Sequence, residues 1–292
     1  MPIMRGNGVV DGVDDGGAED GVEDGEIFNV LDELDLAYER RTSTRGVPYA
    51  GLRLTGVADV AVTVIAEQRV LRLTAHAIDT PLGPLDIVKA SARLPLGAAF
   101  RSPDDGTAQF SVGMWIGDAP LASDLLSRLL AYLVAATDAL QRGMAAPPLP
   151  YVGDVPARSV VDFDAALGQY GHRLTKARDG AALRVTLAPD LDCAIVLRQP
   201  ADGWVSASAT YVPSQSVVMT DASIAEIQRL QRWATAGRFV FDDSLTLGAD
   251  VMTPLVGRTP APAIVWTTSQ SVALLQTAAR FLGFTARDGK PR

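Results

Sequence analysis

Hydrophobic positions along this chain switch between a helical period and a strand period, and the switches come in the same order twice. Ile27, Phe28, Leu31, Leu34 and Tyr38 recur at helical spacing and predict an amphipathic helix over 26–40. Gly46 and Pro48 break it. Strand-like runs follow over 51–55, 57–66 and 69–78. In the last, Val70, Leu71, Leu73, Ala75 and Ala77 are interrupted by Arg72, Thr74 and His76. Pro81, Gly83 and Pro84 mark a turn before a short helix over 85–92. A strand pair then starts at Phe100, turns at Asp104-Asp105-Gly106 and returns over 109–116. Pro120 opens a helix over 121–140, with Leu121, Leu125, Leu129, Leu133 and Leu140 near one stripe.

The second half predicts a helix over 159–174 through Val160, Phe163, Leu167 and Tyr170, then strands over 183–187, 192–198 and 204–212. A helix over 223–236 opens with the capping-box spacing Ser223 to Glu226. A hairpin over 237–255 turns at Asp242-Asp243-Ser244. The spacing Thr267 to Gln270 then launches a last helix to about Phe281. Each half thus reads helix, three strands, helix, two strands, helix. Leu52-Arg53-Leu54-Thr55 is echoed by Leu183-Arg184-Val185-Thr186. The expected fold is α+β, with two tandem domains over 26–143 and 159–285. Each is a mainly antiparallel five-stranded sheet in the order α-β-β-β-α-β-β-α, with helices on one face. Pro147, Pro148, Pro150 and Pro156 make 144–158 a semi-rigid linker.

Charge changes this picture at one end only. Of the 34 acids, eleven fall in the first 35 residues, against Arg5 alone. Residues 1–25 are Gly- and Asp-rich with little to bury, so a disordered acidic leader is expected. Its spacing fails as a calcium loop, because a loop starting at Asp11 would place Val13 and Val22 at ligand positions. The rest of the chain holds 25 bases and 23 acids, which leaves no basic footprint for nucleic acid. Arg128 and Asp138 interrupt the most apolar stretch, so no transmembrane helix is expected. Residues 286–292 read as a polar tail. One cysteine, Cys193, excludes an internal disulfide and fits a cytoplasmic protein.

No catalytic, metal or cofactor-binding residue is expected. His76 sits in a strand and His172 near a helix end, and neither has a nucleophile elbow beside it. Cys193 reads as a core position. No phosphate loop or dinucleotide fingerprint is present. Asp242 and Asp243, as adjacent residues, point to opposite sides and read as turn chemistry. The candidate partner contacts are Trp115, Trp204, Trp233 and Trp266, since Trp is enriched at interfaces, together with Arg229 and Arg232 on the 223–236 helix. Arg238 follows just beyond. The same residues also fit core filling and a solvated helix face.

The helix Ile227-Gln228-Arg229-Leu230-Gln231-Arg232-Trp233, followed by Gly237-Arg238-Phe239 and Val240-Phe241-Asp242-Asp243, resembles the YbjN-like domains, which are similar in fold to type III secretion chaperones. The resemblance covers about 159–284 by motif and 26–142 by element order. It implies a non-enzymatic protein- or peptide-binding module, chaperone-like or regulatory, that pairs as a homodimer or, here, as an intrachain pseudo-dimer. Two other readings stand beside it. One is a scaffold or regulator whose acidic leader binds a basic partner, and the other is an enzyme with its site between the domains.

Overall fold

The computed structural model describes residues 25–282 apart from 45, 103–104, 119, 153–160, 179, 189–190, 216, 219, 243–244 and 256–259. The expected leader and tail, and most of the proline linker's second half, lie outside the described residues.

The described residues form two antiparallel six-stranded sheets with six α-helices. In the first half come α1 (Glu26–Glu33), β1 (Tyr38–Thr42), β2 (Pro48–Leu54), β3 (Val57–Ile65), β4 (Val70–Ile78), α2 (Pro84–Arg93), β5 (Ala98–Arg101), β6 (Ala108–Trp115) and α3 (Ser123–Arg142). In the second come α4 (Phe163–Gly168), β7 (Thr175–Ala177), β8 (Gly180–Ala188), β9 (Leu191–Arg198), β10 (Trp204–Val212), α5 (Asp221–Trp233), β11 (Arg238–Phe241), β12 (Leu247–Pro254) and α6 (Pro260–Leu282). The sheet orders β1-β2-β3-β4-β6-β5 and β7-β8-β9-β10-β12-β11 are the same topology twice.

The expected five strands per domain become six, because each half carries an extra first strand. The helix read over 26–40 ends at Glu33, and 38–42 join the sheet, with Tyr38 opposite Leu52. A Schellman turn stops the helix: Leu36 N–H reaches the Leu31 carbonyl and Asp35 N–H the Asp32 carbonyl (both 3.1 Å). Asp35 takes the left-handed conformation (φ 51°) that glycine usually fills, so no glycine marks the stop. In the second half the helix is only α4, capped by Asp162, whose side chain accepts from Ala165 N–H. The 3-residue β7 supplies the extra strand.

Two capping boxes shift. The α5 box is Thr220 with Ser223, three residues ahead of the expected one. Thr267 lies inside α6, where its hydroxyl donates back to the Ala263 carbonyl (2.6 Å). The aspartate turns are as expected where they are described. Asp105 accepts from Thr107 N–H and hydroxyl, and Asp242 from Thr246 N–H. Asp104 and Asp243 lie outside the described residues.

Alternation along the strands builds the cores. Leu71, Leu73 and Ala75 of β4 and Phe110, Val112 and Met114 of β6 point to one face. They are buried under α3 through residues such as Leu126, Leu129 and Leu133, each nearly fully excluded from water. At roughly 1.5–3 kcal/mol per large side chain, this face dominates the first domain's stability. In the second, Cys193, Ile195, Leu197, Ala207, Ala209 and Val251 pack under α6, and Tyr211 hydroxyl donates to the Leu275 carbonyl (2.6 Å).

The two domains meet through the segments around α2–β5 and α5–β11, which are counterparts. Gly97 and Gly237 both precede the fifth strand of their sheets with positive φ (82° and 77°). Ser91 Oγ accepts from Ala99 N–H as Gln231 Oε1 accepts from Phe239 N–H (both 2.9 Å). Across the junction each domain caps the other's middle helix with an arginine. Arg72 on β4 donates to the Arg232 carbonyl (2.7 Å) near the end of α5. Arg238 on β11 donates to the carbonyls of Ser91 (2.9 Å), Leu94 and Gly97 (3.2 Å) at the end of α2. A cation at a helix C-terminus meets unpaired carbonyls and the negative end of the helix dipole. Gln228 adds a third tie, donating to the Pro84 carbonyl (2.6 Å) and accepting from Arg101 N–H (2.5 Å). Gly113 is needed where the α5–β11 link crosses β6, since a Cβ there would stand 1.9 Å from the Thr235 carbonyl oxygen.

Candidate functional site

The link that leaves α5 at Ala234 does more than connect elements. It lies between α6 and the first domain, and it forms one wall of two adjoining hollows. The wider, about 430 Å³, lies between the end of β6, the Ala66–Gln68 turn and α6. The narrower, about 140 Å³, lies between α5, β11 and α6. Both are lined by Thr235 and Gln270, so they form one groove. Its α6 side is a single helical stripe of Trp266, Gln270, Ala273, Leu274 and Thr277 that continues to Phe281. From Trp266 to Phe281 this stripe runs about 22 Å at 1.5 Å per residue.

Aromatic side chains stand at both ends. At the wide end, half-buried Trp115 of the first domain stacks on Trp266 of the second, with ring centroids 5.9 Å apart and planes 12° from parallel. At the narrow end, Trp233 packs edge-on against Phe281 (5.8 Å). The Arg229 guanidinium lies over both rings, 4.7 Å and 5.1 Å from their centroids. Trp233 is 49% exposed and Phe281 45% exposed, which is unusual for side chains of this size packed together at a surface.

The charges at the two ends differ. Arg229 is paired with Glu226 (2.7 Å), which offsets its charge at the narrow end. At the wide end Arg69 is committed to Glu26 (2.6 Å) and to the Gly117 carbonyl (2.8 Å). Glu67 and Asp118 line the same hollow, both exposed, and neither forms an ion pair among the described residues. Gln68 accepts from the Thr235 hydroxyl (3.2 Å) and ties the two domains within the lining of the wide hollow.

Of the six residues singled out in the sequence, the fold gathers four here: Trp115, Trp266, Trp233 and Arg229. Trp204 is not a surface residue. It is fully buried, and its indole N–H donates to the Pro150 carbonyl (2.9 Å). Arg232 lies outside the groove lining; burial depresses the Arg72 and His76 pKa values, and the nearby Arg232 charge adds to both. Sequence reading missed Phe281, Thr235 and Gln270. Phe281 carried a signal in its place on the Trp266 stripe, whereas Thr235 sits in a link with no periodicity.

The sequence-picked ionisable groups do not converge on chemistry. Burial pushes the Cys193 thiol up to about 11, so it holds its proton. His76 lies on the polar face of β4 opposite Asp59, and burial with the nearby arginines holds it below the ordinary imidazole value. Among the described residues no group of three or more His, Cys, Asp and Glu is placed to hold a metal ion, and no helix is long and apolar enough to cross a membrane. A separate hollow of about 460 Å³ in the first domain is lined mainly by Leu34, Leu36, Leu54, Leu130 and Val134, with Thr55 and Ser127, and bears no ionisable side chain. The chain matches no protein-family model and no curated protein.

Proposed function

We infer that the chain is a non-enzymatic binding module, a tandem YbjN-like pair with a chaperone-like or regulatory role. It holds an extended segment of a protein partner in the groove between α5 and α6. The observation that carries this reading is the groove itself, two hollows sharing the Thr235–Gln270 wall with an aromatic pair at each end. About 22 Å of groove takes six or seven residues of extended chain. Aromatic anchors in partly desolvated hollows are where binding energy concentrates. Thr235, Gln270 and Thr277 between them offer hydrogen bonds to a peptide backbone without adding charge. The junction hydrogen bonds hold both walls in place before a ligand arrives, which lowers the ordering cost of association.

The test is selection of octapeptides from a displayed random library by the full chain, followed by affinity measurement. Trp233→Ala with Phe281→Ala is expected to weaken the selected peptides at least tenfold in a chain that still melts cooperatively, because about half of each side chain is exposed and the rest packs mainly at the groove end. Failure to enrich any peptide, or equal binding by the double variant, overturns the reading.

A further inference from the structure

The ends of the groove are built for different side chains, and that difference specifies the ligand. This inference rests on the peptide reading above. We propose that the wide end receives a lysine or arginine side chain of the bound segment, and the narrow end an apolar one.

At the wide end, two stacked indoles offer π faces and edges to a cation, and Glu67 and Asp118 line the same hollow. Both carboxylates lack an ion pair among the described residues, while the one guanidinium in that lining, Arg69, is already engaged by Glu26. A cation entering there gains aromatic and carboxylate contacts together and displaces no existing pair. An acidic side chain would meet two carboxylates at once. The narrow end reverses the logic. Leu230, Phe239, Ala273 and Leu274 line it, and Trp233 with Phe281 flanks it. Its one cation, Arg229, is paired and stacked. On α6 the wide hollow is lined by Trp266 and Gln270 and the narrow one by Gln270, Ala273, Leu274 and Thr277, so their centres lie five to six residues apart, or about 8 Å. Two side chains on the same side of an extended peptide match that span best when they are two positions apart, about 7 Å.

The same charge pattern argues against the chain's own acidic leader as the occupant, since that segment would bring carboxylates to Glu67 and Asp118.

The experiment uses the full chain and three fluorescein-labelled octapeptides on a Gly/Ser/Thr background. Each carries leucine at one position and, two positions away, lysine, glutamine or glutamate. Fluorescence anisotropy at low salt is expected to rank lysine above glutamine by roughly tenfold, the scale of one cation–π contact with two solvent-screened ion pairs. Glutamate is expected to be weakest. Glu67→Lys with Asp118→Lys, both at exposed positions, should abolish or invert that ranking, and added salt should compress it. Equal binding of the lysine and glutamine peptides, or a ranking unchanged in the double variant, overturns the charge inference while leaving peptide binding intact. If none of the three binds and library selection also enriches nothing, both readings fall. A fourth arm adds a synthetic peptide of residues 1–24 as competitor. Its displacement of the lysine peptide at equal concentration would make the leader the occupant and overturn the proposal.

Discussion

Replacing Arg238 by methionine tests whether arginine-to-carbonyl ties hold the two domains together. Methionine keeps much of the side-chain stem and removes every donor. The Arg238 side chain is 8% exposed, and it serves the carbonyls of Ser91, Leu94 and Gly97 as well as the Asp250 carboxylate (3.3 Å). Ser91 retains a second donor in Leu94 N–H, so its carbonyl is not orphaned by the change. The Leu94 and Gly97 carbonyls lose their guanidinium donor, at about 1–3 kcal/mol for each buried group left unsatisfied. Asp250 is partly exposed and can recover water. Against these losses, the variant no longer desolvates a guanidinium. The expected net cost is about 3 kcal/mol, below the simple sum of the lost contacts. Urea unfolding followed by tryptophan fluorescence measures it, and the melting temperature should fall by about 6–10 °C. Arg238→Lys should recover less than half, because one ammonium cannot reproduce the geometry of a planar fork. A cost below about 1 kcal/mol, or full rescue by lysine, would refute the carbonyl clamp.

Three further outcomes follow from other sites. Glu26 accepts from Arg69 and from Leu121 N–H (2.6 Å), so Glu26→Gln should cost about 2 kcal/mol near neutral pH. Burial pushes the Glu26 carboxyl up, but those partners outweigh it and hold it below 4.5. Its contribution is therefore present above that value and lost as pH falls through the folded-state pKa. The gap between wild type and variant in denaturant melts should close in acid, and a gap independent of pH would contradict this. His76 is depressed below 6.5 by burial, with Arg72, Arg232 and Arg41 adding to the effect and Asp59 opposing it. The unfolded state then binds more protons as pH drops from about 7 to about 5.5, so stability falls over that window. His76→Gln should flatten the fall, and an unchanged slope would count against the assignment. Titration of Cys193 with a disulfide reagent at about pH 8 should find no reactive thiol in the folded chain and one per chain in urea. Fast reaction of the folded protein would show that the buried position opens.

Element order and doubling were legible because they rest on hydrophobic period, which survives without tertiary context. The strand Trp204–Val212 and the α2 region came through nearly to the residue. Stops made without glycine or proline did not. The Leu34–Tyr38 spacing fits a helix and equally a turn into a strand, and only the Asp35 conformation decides between them. Thr267 and Thr268 resemble an N-terminal cap in sequence, yet they bond back along an unbroken helix. The site was half legible. Large aromatic side chains announced themselves by type, but type alone cannot separate Trp204, sealed in the second core, from Trp233 at the surface. Arg238 looked like one more helix-end cation, and its three carbonyl partners lie more than 140 positions away.

The shared register of the two sheets makes Pro254 the counterpart of Trp115, Ser206 that of Arg72, and Ala98 that of Arg238. A symmetric dimer of identical chains presents every surface feature twice, and any substitution alters both copies. Joining the halves in one polypeptide removes that constraint. The indole that completes the wide end exists on one side of the pseudo-axis and a proline stands on the other. On the proposed reading, the described residues offer one such groove per chain, and saturation should come at a single occupant per chain.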